Sequence, residues 1–166
     1  TTNIMNADVK ILMVCLGNIC RSPMAEGILR HKALASHPSL TVDSAGTGNY
    51  HVGEAPDDRA IVTAAKYGVD IASLQARQFS PDDFERFDHI LVMDLNNRRE
   101  VLKQTDNPMH QAKVRLMMDV LYPGEDMEVP DPWFGGMEGF SRVFEMLDDT
   151  YNQQRLNLAV ENLRDV

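Results

Sequence analysis

The sequence predicts an α/β fold: a single three-layer domain with a central parallel twisted sheet of about four strands and helices on both faces. Apolar segments of strand length alternate with helical stretches along the whole chain, the pattern of repeated β-α-β units. The first segment, Ile11, Leu12, Met13 and Val14, is continuously apolar, as expected of a parallel strand buried on both faces. No repeat, low-complexity tract or linker divides the 166 residues, a length that suits one domain burying roughly 70% of its unfolded surface. The domain is expected to span 1–166, with 1–8 as a flexible N-terminal extension.

The first strand ends at Cys15, and a tight polar turn follows over 16–21. Ser22 stands where a helix N-cap belongs and Pro23 at the first helical position, with Met24, Ala25, Ile28 and Leu29 forming one apolar face. Leu40, Thr41 and Val42 predict a second strand, which runs into a loop of small residues from Asp43 to Gly48. Pro56 opens a helix with Asp57 and Asp58 in its first turn, and Gly68 closes it after Tyr67. Residues 76–79 predict a short strand, and Ser80-Pro81-Asp82-Asp83 starts a short capped helix. A buried strand over 89–93 ends at Asp94, a helix follows over 95–104, and the last strand covers 114–117. The stretch from Pro123 to Gly136 is irregular and contains Pro130-Asp131-Pro132. From Met137 onward, Phe140, Phe144, Leu147, Tyr151 and Leu158 fall on one helical face.

Lys plus Arg number 16 and Asp plus Glu 25, a net charge of −9 that disfavours nucleic acid or an anionic membrane as the main partner. Any anion must therefore be held locally. No apolar run approaches the roughly 20 residues of a membrane span, so no membrane insertion is expected. The N-terminus lacks a basic stretch followed by an apolar core, and a cytoplasmic location is expected. Two cysteines, Cys15 and Cys20, assemble neither a disulfide framework nor a four-ligand zinc site. His31, His37, His51, His89 and His110 show no metal-binding spacing and read as surface or packing residues, so neither metal nor other cofactor is expected.

Chemistry concentrates in Cys15-Leu16-Gly17-Asn18-Ile19-Cys20-Arg21-Ser22. A cysteine stands at the carboxyl end of a strand, an arginine six residues later, and a helix N-terminus directly after. Ligands of open α/β sheets bind beyond the carboxyl ends of the strands. Five intervening residues suffice to curl the backbone so that its N–H groups face one point, with the helix dipole behind them. This is a phosphate-binding loop after the first strand. Gly17 and Asn18 tolerate the positive φ such a curl demands, and the planar fork of Arg21 can grip two oxygens of a tetrahedral oxyanion. The same positive field favours the thiolate of Cys15 over its thiol, placing a nucleophile below a bound phosphate. Ser22 can hydrogen-bond that sulfur and help it leave a thiophosphate intermediate. Transfer from an aryl ester also needs an acid for the departing oxygen. Asp131, exposed between two prolines and followed by Trp133 and Phe134, fits that need, and the aromatic pair can wall a pocket for a flat ring.

With these residues the chain resembles the low-molecular-weight protein tyrosine phosphatase family, from Val9 to the last helix. The likeness rests on VCLGNICRSP (14–23) with Met24-Ala25-Glu26, Asp43-Ser44-Ala45-Gly46-Thr47, Ala76-Arg77-Gln78, Val92-Met93-Asp94 and Asp131-Pro132-Trp133-Phe134. The resemblance implies a metal-independent hydrolase of phosphotyrosine proteins or peptides, with phosphate and other oxyanions as products or inhibitors. It implies Cys15 as nucleophile, Arg21 as phosphate clamp, Asp131 as general acid and base, and Ser22 as partner of the thiolate. It further implies that Asn18 and Ser44 form a network holding the loop, that Tyr50, Trp133 and Phe134 line the substrate cleft, and that Cys20 can form a reversible disulfide with the nucleophile. Leu74 stands where many members carry a histidine bonded to that network. A protein-arginine phosphatase of the same family is the alternative, although such enzymes typically carry threonine where this chain has Ile19. An arsenate reductase needs further cysteines, and none follows Cys20. A non-catalytic phosphate-binding module is expected to lack Cys15 or Asp131, and both are present.

Overall fold

Strand β1 (Lys10–Cys15) lies at the heart of the molecule, flanked by β2 (Thr41–Gly46) and β3 (His89–Val92), with β4 (Val114–Leu116) outside β3. The order β2-β1-β3-β4 is parallel throughout. The computed structural model describes residues 8–33, 36–120 and 122–152. The expected extension over 1–8, apart from Asp8, and the helical position Leu158 lie outside them.

Alternate residues of the central strands feed two cores. Ile11 and Met13 of β1 pack with α1 (Arg21–Ala33), α2 (Asp58–Lys66) and α6 (Met137–Thr150), through Met24, Ile28, Ala60, Ala64, Phe140 and Phe144. Leu12 and Val14 face the other way, onto Phe79, Phe84 of α3 (Asp83–Arg86), Phe87 and Val101 of α4 (Leu95–Leu102). Helices thus cover both sheet faces, the three-layer arrangement expected of buried parallel strands. The chain leaves β1 toward β2 and later returns to place β3 on the other side. The carboxyl ends of β1 and β3 therefore frame the switch point where such sheets bind ligands.

Several boundaries differ from those the sequence predicts. Helix α1 starts at Arg21, so Ser22 lies in the first turn rather than at the N-cap. The small-residue stretch 43–46 is strand, because pairing of Met13, Val14 and Cys15 with Ser44, Ala45 and Gly46 outweighs its turn propensity. Residues 76–79 form no strand and join the sheet through one bridge, Gln78 to Gly46. Asp57 rather than Pro56 begins α2, accepting a hydrogen bond from the Arg59 N–H at 2.8 Å. Ser80 does not cap α3 with its side chain; its N–H donates to the Asp83 carboxylate at 2.9 Å. Strand β3 stops at Val92, β4 at Leu116 and α4 at Leu102. Helix α5 (Pro108–Gln111) arises where the sequence reading places no element, and a 3-10 turn (Met117–Val120) takes over the last residue of the expected strand and continues past it. In α6, Phe140, Phe144 and Leu147 are buried as expected, and Tyr151 follows them into the core.

Candidate active site

Cys15 ends β1 at the floor of a pocket of about 210 Å³. Its side chain is buried, and two groups hydrogen-bond its sulfur: the Ser22 hydroxyl at 3.0 Å and the Asn18 N–H, which donates at 3.3 Å. The loop therefore curls over the sulfur. Asn18 alone in the loop takes the left-handed conformation, with φ 58°; Gly17, expected to share it, does not. Among the described residues the N–H groups of Gly17, Ile19 and Cys20 have no acceptor in the protein, as a cradle for an anion requires.

A relay of side chains locks the curl. Asn18 donates through Nδ2 to Ser22 Oγ at 2.8 Å and Ser44 Oγ at 2.9 Å, while its Oδ1 accepts from the Arg77 N–H at 3.0 Å. Ser44 donates to the buried Glu26 carboxylate at 2.6 Å, whose other oxygen pairs with Arg30 at 2.5 Å. Burial raises the Glu26 pKa against the opposing Ser44 bond and Arg30 charge. Leu74 packs against the larger core, so the network closes through the Arg77 backbone with no histidine at 74.

Arg21 is 2% exposed. Its Nη1 donates to Asp94 at 2.7 Å and to the Val129 carbonyl at 2.9 Å. Burial works against its charge, but Cys15, Asp94 and Asp131 together hold its pKa above the ordinary arginine value. Asp131 brings a carboxylate oxygen to 3.8 Å from Arg21 Nη2, and its other oxygen accepts the Trp133 N–H at 3.0 Å. The acidic group thus faces the same pocket as the sulfur. Cys20 is also buried, and burial followed by the negative fields of Cys15, Asp57 and Asp131 pushes its thiol pKa far up. It is held neutral beside the loop.

Leu16, Ile19, Tyr50, Trp133 and Phe134 line the pocket with Cys20 and Arg21. Tyr50 and Phe134 are strongly exposed, so the mouth presents aromatic faces to solvent. The structure adds a wall residue that the sequence reading assigned to the surface. His51 reaches the pocket with its ring centroid 5.8 Å from that of Trp133 and its Nδ1 2.5 Å from Glu54. Asp94 was also missed as a site residue, although an aspartate closing a buried strand at the carboxyl edge is a signal that could have found it. Glu26 carries no such local signal. Among the described residues no group of three or more His, Cys, Asp or Glu side chains is placed to hold a metal ion, and no helix is long and apolar enough to cross a membrane.

Residues 10–163 match the model of a family described as low molecular weight phosphotyrosine protein phosphatase. A protein of that name from Schizosaccharomyces pombe is 40% identical over 148 residues, covering 87% of this chain and 94% of the relative. A low molecular weight protein-tyrosine-phosphatase of Streptomyces coelicolor is 40% identical, covering 84% of this chain and 87% of the relative. In three dimensions the chain resembles the crystal structure of a protein tyrosine phosphatase from Entamoeba histolytica with Hepes in the active site. That likeness has a TM-score of 0.79 and 36% identity, covering 95% of each chain.

Proposed function

The chain belongs to the low molecular weight phosphotyrosine protein phosphatase family, a family of hydrolases, and from that premise we propose how its own residues carry the reaction. Cys15 attacks the phosphorus of a phosphotyrosine as a thiolate, forming the S–P bond while the P–O bond to the phenol breaks. Arg21 grips two non-bridging oxygens, and the loop N–H groups take up the charge that spreads over them. Asp131 gives its proton to the departing phenolic oxygen. Water then attacks the cysteinyl phosphate with Asp131 as base, the S–P bond breaks, and phosphate and the thiolate are released. Ser22 supports the leaving sulfur through its hydroxyl. Asn18, Ser44 and Glu26 keep the loop curled throughout.

One observation carries this proposal: a single pocket holds the Cys15 sulfur, hydrogen-bonded to the Ser22 hydroxyl and the Asn18 N–H, and Asp131 stands across Arg21 from it. The aromatic mouth formed by Tyr50, Trp133 and Phe134 favours an aryl phosphate, and Ile19 offers a phenyl ring apolar contact where a guanidinium needs polar partners. Cys20 acts as redox partner: peroxide oxidises Cys15 to a sulfenic acid, and the Cys20 thiol displaces its hydroxyl as water to give a disulfide. A nucleophilic thiol of this kind suits a reducing compartment such as the cytoplasm.

The test compares phosphotyrosine, phosphoserine and phosphoarginine peptides at steady state in EDTA. Turnover of the phosphotyrosine peptide well above the other two, unchanged by EDTA, is expected; preference for phosphoarginine or loss of activity in EDTA contradicts the assignment. Cys15→Ser is expected to abolish turnover while still binding phosphate.

A further inference from the structure

Residues 131–135 hold the acid; Pro132 is buried there and the Asp131 carboxylate lies 3.8 Å from Arg21 Nη2, but few hydrogen bonds fasten the turn. Two hydrogen bonds within this stretch, Trp133 N–H to Asp131 Oδ1 and Gly135 N–H to the Pro132 carbonyl, shape the turn but do not fasten it. Among the described residues, every hydrogen bond that ties 131–135 to another part of the molecule comes from one side chain. Arg59, in the first turn of α2, donates through Nη1 to the Gly135 carbonyl at 2.8 Å and through Nη2 to the Trp133 carbonyl at 3.2 Å. Its guanidinium is itself fixed. Asp57 takes Nε at 3.0 Å and Nη2 at 3.1 Å in a two-point grip, and the Phe140 ring of α6 lies with its centroid 4.5 Å from Cζ, with that of Trp133 at 5.5 Å. Asp57 in turn donates its N–H to the Ile19 carbonyl of the phosphate-binding loop at 2.8 Å.

We propose that Arg59 is a positioning residue for the reaction, fastening the turn that bears Asp131 to the same helix end that anchors the phosphate-binding loop, so that acid and nucleophile keep a fixed separation. The planar fork of arginine suits this task, since one group can meet a carboxylate and two carbonyls in a single plane while stacking on a ring. Arg59 is not among the residues that line the pocket with Cys15 and Arg21. Its loss is therefore expected to act only through Asp131, and the inference rests on Asp131 being the acid.

The test measures kcat/KM, which reports steps through phenol release, for aryl phosphates of graded leaving-group pKa. The proteins are wild type, Arg59→Ala, Asp131→Asn and the double variant. Arg59→Ala is expected to lose roughly tenfold or more on phenyl phosphate, the size of effect that misplacing a catalytic group produces, and little on dinitrophenyl phosphate, whose oxygen needs no proton. Inhibition by inorganic phosphate should stay at the wild-type value. In the Asp131→Asn background the Arg59 effect should vanish, because the two act as one unit. Arg59→Lys keeps the charge without the fork and is expected to show the same leaving-group tilt, so it decides the question should the alanine variant fail to fold. A loss equal across leaving groups, a full additional loss in the double variant, or a wild-type profile in Arg59→Lys overturns the role of Arg59. If Asp131→Asn itself shows no leaving-group dependence, it is the assignment of the acid that falls.

Discussion

An alanine Cβ at position 46 would lie 2.7 Å from the Leu16 carbonyl oxygen and 3.1 Å from the Asn18 nitrogen, both backbone atoms that cannot swing aside. Glycine there lets the end of β2 pass directly beneath the phosphate-binding loop, and it is space rather than backbone freedom that requires it. Gly46→Ala is expected to cost about 1–3 kcal/mol, as overpacked sites do, in urea unfolding, and to lower kcat by displacing the curl above the sulfur. An activity equal to wild type would show the loop to be less tightly seated. Cys15, Arg21, Ser22 and Asp131 were legible because their meaning lies in local spacing: a strand end, a short loop, a helix start, a carboxylate between prolines. The buried Glu26 was not, since it follows an ordinary Met-Ala on a helix and gains its place only when Ser44 arrives from β2. His51 escaped for a similar reason: Glu54, three residues on, holds its ring, but only the arrival of the distant Trp133 makes it a pocket wall.

Helix α4 shows how one carboxylate can serve two elements. Asp94 caps it, accepting the Asn97 N–H at 2.7 Å on one oxygen, while the other holds Arg21 at 2.7 Å. Asp94→Asn keeps an oxygen for the cap but loses the charge facing a buried guanidinium. Calorimetry should find a smaller stability loss in this variant than in Asp94→Ala, which also sacrifices the cap, worth about 1 kcal/mol. Both should weaken inhibition by phosphate, because Arg21 is no longer aimed. Phosphate inhibition unchanged in both would mean that Val129 alone orients Arg21. At this scale the sequence located most elements and misjudged their ends, and the errors share a cause. The stretch from Asp43 to Gly46 has the composition of a turn and is made strand by β1 beside it. The Ala76 to Phe79 stretch has the composition of a strand and finds only one bridging partner. Pairing partners distant in the chain decide both.

Across the whole molecule, the alternation of strands and helices forecasts the parallel sheet, and the return of β3 to the far side of β1 places Cys15 and Asp94 at one switch point. Composition could not show which histidines the fold would bury. His89 has its pKa lowered first by burial, with Arg115 and Lys113 adding to the effect and Asp88 opposing it; burial lowers His37 as well. The unfolded chain protonates these rings near pH 6.5 while the folded one resists. Below that value the unfolded state therefore binds more protons, and stability falls as pH drops. Tm should decline from pH 7.5 to 5.5, and less so in His89→Gln; an equal slope in that variant would remove His89 as a cause. The proposed turnover depends on a covalent bond between one sulfur and phosphorus. Rapid-quench mass spectrometry of the enzyme during turnover of an aryl phosphate tests this most directly: one phosphoryl group mapped to Cys15 is the predicted result, and steady turnover with Cys15 never modified would contradict it.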